Sequence, residues 1–453
     1  MKQKNNMDML FSPKSVAVIG ASSTKGKIGH AIMENFVKGK FRGIAYPINP
    51  KVKSILGQKA YPSILNIPGP VDLAVIAIPA KFVPPALKEC VQKKVKATVI
   101  VSSGFSEIGG VGIAREKLCE SIIAGSGMRV LGPNCIGVLD AKTGTDTLFL
   151  SMDRLGRPKP GRISFISQSG AVGSTILDWL SAEEIGISKF IAYENGMDID
   201  EADSIEYLDN DPETKVIALY IEGVKNGENF IRAARRAKKP IIVLKGGRTK
   251  FGSKAAFSHT GRLAGSSAVY SGIFRQCGII EVDSWRELFN LAKGFAFQQR
   301  PKGKRLAIVT DGGGFGVLAA DVAEREGLLL PQTSEEMKSL FRKSFPAYAT
   351  LDNPIDITGD TNAERYKIAI EACLKSNRYD GVLAITLFQV PTLEENIVDV
   401  VAALSEKYPK PILCCAAGGE FTRNLAMKLE AKNVPVYQTP KEAIEVFSAM
   451  ARN

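Results

Sequence analysis

Histidine and tryptophan are nearly missing from this 453-residue chain, with two residues of each. Two imidazoles exclude a multi-histidine metal centre. Cysteine occurs at 90, 119, 135, 277, 373, 414 and 415, with no Cys-x-x-Cys pair among them. An odd, unpatterned set argues against both a disulfide framework and a zinc site. The adjacent Cys414 and Cys415 fall in the strand-like stretch PILCCAA and read as small buried hydrophobes. No apolar run approaches the roughly 18–20 residues that span a bilayer. The opening MKQKNNMDMLF lacks the apolar core of a signal peptide. The expectation is a cytoplasmic protein with no membrane partner.

Basic residues are in excess, giving a net charge of +12. Nucleic acid, a polyphosphate ligand and a Lys-rich surface each account for such an excess. The densest basic cluster, RRAKK at 235–239, lies at a predicted helix end, where the helix dipole favours cations. Aromatics interleaved with basic residues are lacking, so no nucleic-acid partner is expected.

What the chain does contain is a repeated strand, tight turn and helix. Short β-branched runs alternate with longer helical stretches, the mark of parallel α/β sheets. Three blocks separate as expected domains: 1–153, 154–300 and 301–453. The first holds SVAVIG (15–20), IAYPI (44–48), LAVIAIP (73–79), ATVIVSSG (97–104) and MRVLGPN (128–134). After a linker, RLGRPKPG (154–161), come RISFIS (162–167), SKFIAY (188–193), VIALYIEG (216–223) and PIIVLKGG (240–247). A second linker, QQRPKGK (298–304), precedes RLAIVTDGGG (305–314), GVLAITL (381–387), PILCCAA (411–417) and VPVYQ (434–438). In ATVIVSSGF, RISFISQSGAV and RLAIVTDGGGFGV an apolar strand runs through small residues into a helix. Each such turn offers free backbone N–H groups at a helix start, a natural anion site. Three in one chain favour a protein that handles phosphate.

The first block is Rossmann-like, but its glycines fall at 20, 26 and 29, which is not the Gly-x-Gly-x-x-Gly fingerprint. The longer turn makes room for a phosphate near Ser22, Ser23 and backbone amides. An NAD site wants a carboxylate at the end of the second strand. Here stand Asn49, Pro50, Lys51 and Lys53. Cations suit a ribose that carries a phosphate, as in NADP or coenzyme A. The stretch AIPAKFVPP (77–85) supplies rigid apolar walls for an adenine or a pantetheine arm.

Of the two histidines, His30 follows Gly29 at a predicted helix start, as a surface or capping residue or one that brushes the ligand. His259 lies in the loop GGRTKFGSKAAFSHTGRLAGSS, which has no apolar spacing to bury it. Ser258, Thr260 and Gly261 allow bulky charged groups to approach. A flexible loop with one imidazole suits a nucleophile that attacks phosphorus and then carries the group elsewhere. Such a histidine needs a carboxylate on one ring nitrogen and backbone donors around the phosphoryl oxygens. Glu222, ending VIALYIEG, is placed to orient it, since functional residues gather at the carboxyl edge of open sheets. The turn SQSG, with Ser167, Ser169 and Gly170, supplies donors from one helix start, and DGGGFG, with Gly313 and Gly314, from another.

Taken together these segments resemble the nucleoside-diphosphate-forming acyl-CoA synthetase superfamily, whose branches include succinyl-CoA synthetase and the archaeal ADP-forming acetyl-CoA synthetases. The resemblance covers the whole chain, in the domain order of the α subunit of the acetate branch. It implies a Rossmann-like CoA-binding domain followed by two flavodoxin-like, succinyl-CoA synthetase-like parallel-sheet domains. SHTG with His259 resembles the family's phosphohistidine loop, SQSGAV its phosphate-binding turn, and YIEG with Glu222 the strand carrying the histidine's carboxylate. SSTKGKIG, YPINPK, AIP and GPNCIG resemble its coenzyme A contacts. They imply roles for Gly20, Ser22, Ser23, Lys27, Gly29, Asn49, Pro50, Lys51, Ile78, Pro79, Ser103, Gly104 and Asn134. The family's ATP-grasp nucleotide domains have no counterpart here. The resemblance therefore implies a separate ATP-grasp β subunit that binds ADP or ATP with magnesium, in an α2β2 assembly.

The implied reaction converts acyl-CoA, phosphate and ADP into acid, ATP and coenzyme A. It passes through an acyl phosphate and a phosphohistidine at His259, with no metal held by this chain. Two rivals are succinyl-CoA synthetase proper, whose α subunit lacks a third block like 305–453, and a non-catalytic CoA-sensing or protein-acyltransferase module, which needs neither His259 nor Glu222. An NADP-dependent oxidoreductase is disfavoured by the glycine spacing.

Overall fold

In a computed structural model of the protein, residues 6–254 and 266–452 are described. The chain forms two compact units, Met1–Trp285 and Arg286–Asn453.

The first unit opens with β1 (Ser15–Ile19), β2 (Ile44–Ile48), a hairpin of β3 (Ser54–Ile55) and β4 (Gln58–Lys59), then β5 (Leu73–Ile76), β6 (Ala97–Ile100) and β7 (Arg129–Leu131). Its main sheet has the order β2-β1-β5-β6-β7 and is parallel throughout. The strands read as unbroken apolar runs because both faces are covered. Alternate residues enter different cores: Val16, Val18 and Val75 one, Ala17, Ile19 and Ile76 the other.

A second sheet uses β8 (Gly137–Asp140), β9 (Pro160–Ser167), β10 (Ile187–Ala192), β11 (Val216–Ile221), β12 (Ile241–Lys245) and β13 (Ile280–Val282), in the order β13-β12-β11-β9-β10-β8. Five strands are parallel; β8 pairs antiparallel with β10, Gly137 facing Ala192 and Asp140 facing Lys189. No strand is expected from the sequence between 134 and 162, because GVLD is too short for its periodicity to register. Yet this segment crosses from the first block to edge the second sheet. Lys189, buried, pairs with Asp140 of this segment at 3.4 Å while also holding Asp211, at the end of its own sheet's helix, at 3.0 Å. One apolar core runs through both sheets, from Val16 and Leu73 past Leu131, Cys135 and Val138 to Ile166, Ile191 and Ile217.

The second unit holds β14 (Leu306–Thr310), β15 (Ile355–Asp356), β16 (Gly381–Ile385), β17 (Ile412–Cys415) and β18 (Val436–Tyr437), parallel in the order β15-β14-β16-β17-β18. Cys414 and Cys415 are buried in β17 as expected. The RRAKK cluster also behaves as read, with Arg235 and Arg236 in the last turn of the helix Gly227–Arg236. No helix among the described residues is long and apolar enough to cross a membrane.

Candidate active site

The carboxyl ends of both sheets in the first unit converge on a cavity of about 580 Å³. On one side stand Ile78 and Pro79 after β5, Ser103 after β6 and Asn134 after β7; on the other, Ser169 and Gly170 after β9. Two groups of residues that lie far apart in sequence thus share one space.

The turn after β1 is built by close packing. Gly20 has φ +92°, and a Cβ there would lie 2.3 Å from the Ala77 carbonyl oxygen. Ser22 Oγ accepts from the Thr24 N–H at 3.1 Å, while Ser23 and Lys27 are exposed. Asn49 braces the turn: its Nδ2 donates to Ala21 O at 2.8 Å and its Oδ1 accepts from Lys51 N–H at 2.8 Å. Pro50 and Lys51 are exposed beside it. None of these residues lines the 580 Å³ cavity; nor do Gly29 and Gly104. Lys27 instead lines a second cavity of about 740 Å³ with Lys25, Lys38, Arg154 and His30; its cations outnumber its two carboxylates, Glu34 and Asp153. His30 is buried and not at the surface, its Nδ1 2.9 Å from Ser22 O. The two cavities share Ile28 and Phe149.

The turn after β9 is held by its own hydroxyls. Ser167 Oγ donates to Ser169 O at 2.7 Å and accepts from Ser169 N–H at 3.2 Å. Ser169 caps the helix Gly170–Ala182, its Oγ accepting from Val172 N–H at 3.5 Å. Between them Gln168 reaches the neighbouring strand: its Oε1 accepts from the Glu222 N–H at 2.6 Å and the Gly223 N–H at 3.0 Å. That fixes which end of the amide faces the cavity. Gln168 Nε2 is buried with no hydrogen-bond partner among the described residues.

Glu222 is buried just beyond β11, and Tyr220 Oη donates to its Oε1 at 3.2 Å. Lys245 Nζ donates to Glu222 O at 2.7 Å, and its burial pulls the ammonium below its usual range, against the opposing pull of Glu222. The expected phosphate turn and the expected orienting carboxylate are therefore adjacent, joined through Gln168. His259, Thr260 and Gly261 lie outside the described residues.

Sequence reasoning passed over Gln168, Glu107, Glu194 and Asn195, all of which line the cavity. Asn195 Nδ2 donates to Glu107 Oε2 at 2.7 Å and to Glu116 Oε2 at 3.0 Å. Burial works against the charge of Glu107, but the Asn195 amide and the Gly104 and Phe105 N–H groups outweigh it and hold its carboxyl below the usual range. Glu194 and Asn195 follow β10, and their one signal in the sequence was that position, beyond the carboxyl end of a parallel strand.

In the second unit the turn after β14 repeats the hydroxyl brace: Thr310 Oγ1 donates to Gly312 O and accepts from Gly312 N–H, both at 3.1 Å. Gly313 and Gly314 then open the helix Gly313–Arg325. Asp311, buried, accepts from Leu387 N–H at 3.0 Å, and burial pushes its carboxyl up to about 6.

Comparison with known proteins agrees with this layout. Residues 14–141 match the model of a CoA binding domain, 160–295 that of a succinyl-CoA ligase-like flavodoxin domain, and 306–452 that of a ligase-CoA domain. The α subunit of ADP-forming acetate–CoA ligase I from Pyrococcus furiosus is 40% identical over 454 residues, covering 98% of this chain and 97% of its own. The chain belongs to the ADP-forming acetate–CoA ligase family. A longer member of that family, ADP-forming acetate–CoA ligase I of Archaeoglobus fulgidus, is 38% identical over 98% of this chain, which spans 63% of it. Among solved structures, the dinucleotide-forming acetyl-coenzyme A synthetase 1 of Ca. Korarchaeum cryptofilum, in complex with phosphate and ADP, superposes with a TM-score of 0.90. It is 35% identical, over 98% of this chain and 96% of its own. The ligase family inferred from SHTG, SQSGAV and YIEG is thus the one to which the chain belongs, and its three α/β sheets, parallel but for β8, follow the expected class.

Proposed function

We propose that this chain is the α subunit of an ADP-forming acyl-CoA ligase. It takes acyl-CoA, phosphate and ADP to a free acid, coenzyme A and ATP, with acetate or a related acid as the acyl group. The observation that carries this is the single cavity reaching from Ile78, Pro79, Ser103 and Asn134 to the helix start at Ser169–Gly170. Coenzyme A lies along the first side, with the turn after β1 and the basic cavity around Lys27 taking its phosphates. The thioester then sits near Asn134, within reach of phosphate held by the N–H groups of the Gly170 helix start.

Phosphate attacks the thioester carbonyl and gives an acyl phosphate and free coenzyme A. His259 takes the phosphoryl group and releases the acid. Glu222 orients the imidazole, and its own placement is set by Gln168, Tyr220 and Lys245. Catalysis is chiefly positioning and charge stabilisation, as in phosphoryl transfer generally. The helix start at Gly313–Gly314 is a second place where the phosphohistidine can be met. The group then passes to ADP on an ATP-grasp β subunit that holds the nucleotide with magnesium, in a cytoplasmic α2β2 assembly. The longer relative, of which this chain spans 63%, supports a missing partner segment.

The test mixes the chain with its nucleotide-binding partner, acetyl-CoA and radiolabelled phosphate. An acid-labile, base-stable label is expected on this chain and is absent in His259→Ala. A label that persists in that variant would end the phosphohistidine assignment.

A further inference from the structure

The mechanism so far gives no role to Glu194, although it lines the cavity. Its backbone has φ +40°, a conformation that side chains other than glycine rarely adopt. Such strain persists where surrounding structure enforces it, and it gathers at functional sites. The side chain stands over the first residue of the phosphate-facing helix: a Cβ added to Gly170 would meet Glu194 Oε1 at 2.5 Å. Oε1 accepts one long hydrogen bond, from Ile136 N–H at 3.4 Å. Oε2 is buried with no partner among the described residues. A second group without a partner, Gln168 Nε2, lines the same cavity. A carboxyl under-satisfied on both oxygens at a helix start built for an anion is not serving the fold.

We propose that Glu194 is a catalytic residue of thioester cleavage, exchanging a proton between the attacking phosphate and the departing sulfur of coenzyme A; this rests on the function proposed above. Burial raises its carboxyl well above the ordinary range, opposed only by the Ile136 N–H, and so favours the protonated form from which the step starts. A neutral carboxyl does not repel the phosphate dianion beside it. In the step, an oxygen of hydrogen phosphate bonds to the thioester carbon and the carbon–sulfur bond breaks. Oε2–H gives its proton to the sulfur while Oε1 receives the proton of the phosphate. The carboxyl ends neutral, as it began, and the products are an acyl phosphate and a free thiol.

The test uses the complex with the nucleotide-binding partner and reads two partial reactions. Arsenate with acetyl-CoA, in the absence of nucleotide, reports thioester cleavage as thiol release, because an acyl arsenate hydrolyses at once. Exchange of label between ADP and ATP reports the His259 step alone. Glu194→Gln keeps the shape and removes the proton, so thiol release falls by about 100-fold or more, while exchange stays within twofold of wild type. Glu194→Gly relieves the positive φ, so it loses thiol release equally while melting no lower than wild type. Thiol release in Glu194→Gln within tenfold of wild type, or an equal loss of exchange, overturns the assignment. No thiol release in the wild-type complex overturns the proposed function itself.

Discussion

The turns after β9 and β14 are built to one plan and part company at its middle residue. In each, the hydroxyl of the last strand residue, Ser167 or Thr310, trades hydrogen bonds with the residue two positions on. In each, the residue between them reaches across to backbone N–H groups beyond the neighbouring parallel strand. Gln168 reaches Glu222 and Gly223; Asp311 reaches Leu387. The amide accepts with its oxygen and keeps two N–H donors for the cavity. The carboxyl has no donor to offer once ionised and carries a charge beside a helix start. The same brace therefore makes one permanent anion receptor and one whose field changes with its protonation.

Breaking the difference at the first turn has the largest expected effect. Gln168→Glu places a buried carboxylate where the proposed mechanism holds phosphate, and labelling of His259 should slow by at least about 100-fold, roughly 3 kcal/mol. The reciprocal change, Asp311→Asn, should stabilise. The folded carboxyl titrates near 6, above its unfolded value, so its stability contribution is full below about pH 4 and is lost as pH rises through 6. Denaturant unfolding at pH 8 should favour the variant by up to about 3 kcal/mol, with the difference vanishing near pH 4. A gap that widens toward acid would contradict this. Ser167→Ala and Thr310→Val each remove the shared brace and leave a backbone N–H unpaired, at about 1–2 kcal/mol apiece by chemical denaturation. If the plan is common to both turns, the two losses agree within experimental error. Ser169→Ala should cost least, about 0.5 kcal/mol by the same measurement, because its capping bond is already 3.5 Å long.

The strands of both units were largely legible, since runs such as SVAVI, LAVI and LAIVT are apolar but for a terminal Ser or Thr. Three short edges were not, although β7 in MRVLGPN and β18 in VPVYQ were. GVLD, IEV and the two-residue β15 are each interrupted by an acid or a glycine, and their pairing depends on sheet order, which no local pattern carries. The site divides similarly. SQSG and YIEG were visible as a turn and a strand end, but that Gln168 joins them follows only from β9 lying beside β11. Asn49 was visible as the residue after β2, yet its side chain proved to brace Ala21 and Lys51. Glu194 had only its place after β10 to mark it, because sequence composition does not announce a glutamate with positive φ.

The antiparallel strand β8 has a mechanical consequence. It leaves the cavity wall at Asn134–Ile136 and is stitched at once into the sheet that forms the opposite wall. Prising the walls apart would unzip that seam and strip Lys189 of Asp140, leaving it Asp211 alone. The cleft is therefore no clamshell: under the function proposed above, the acyl group is gauged against stiff sides. Admitting a bulkier acid calls for trimming Ile78, Ile136 or Phe149, since the walls themselves do not yield.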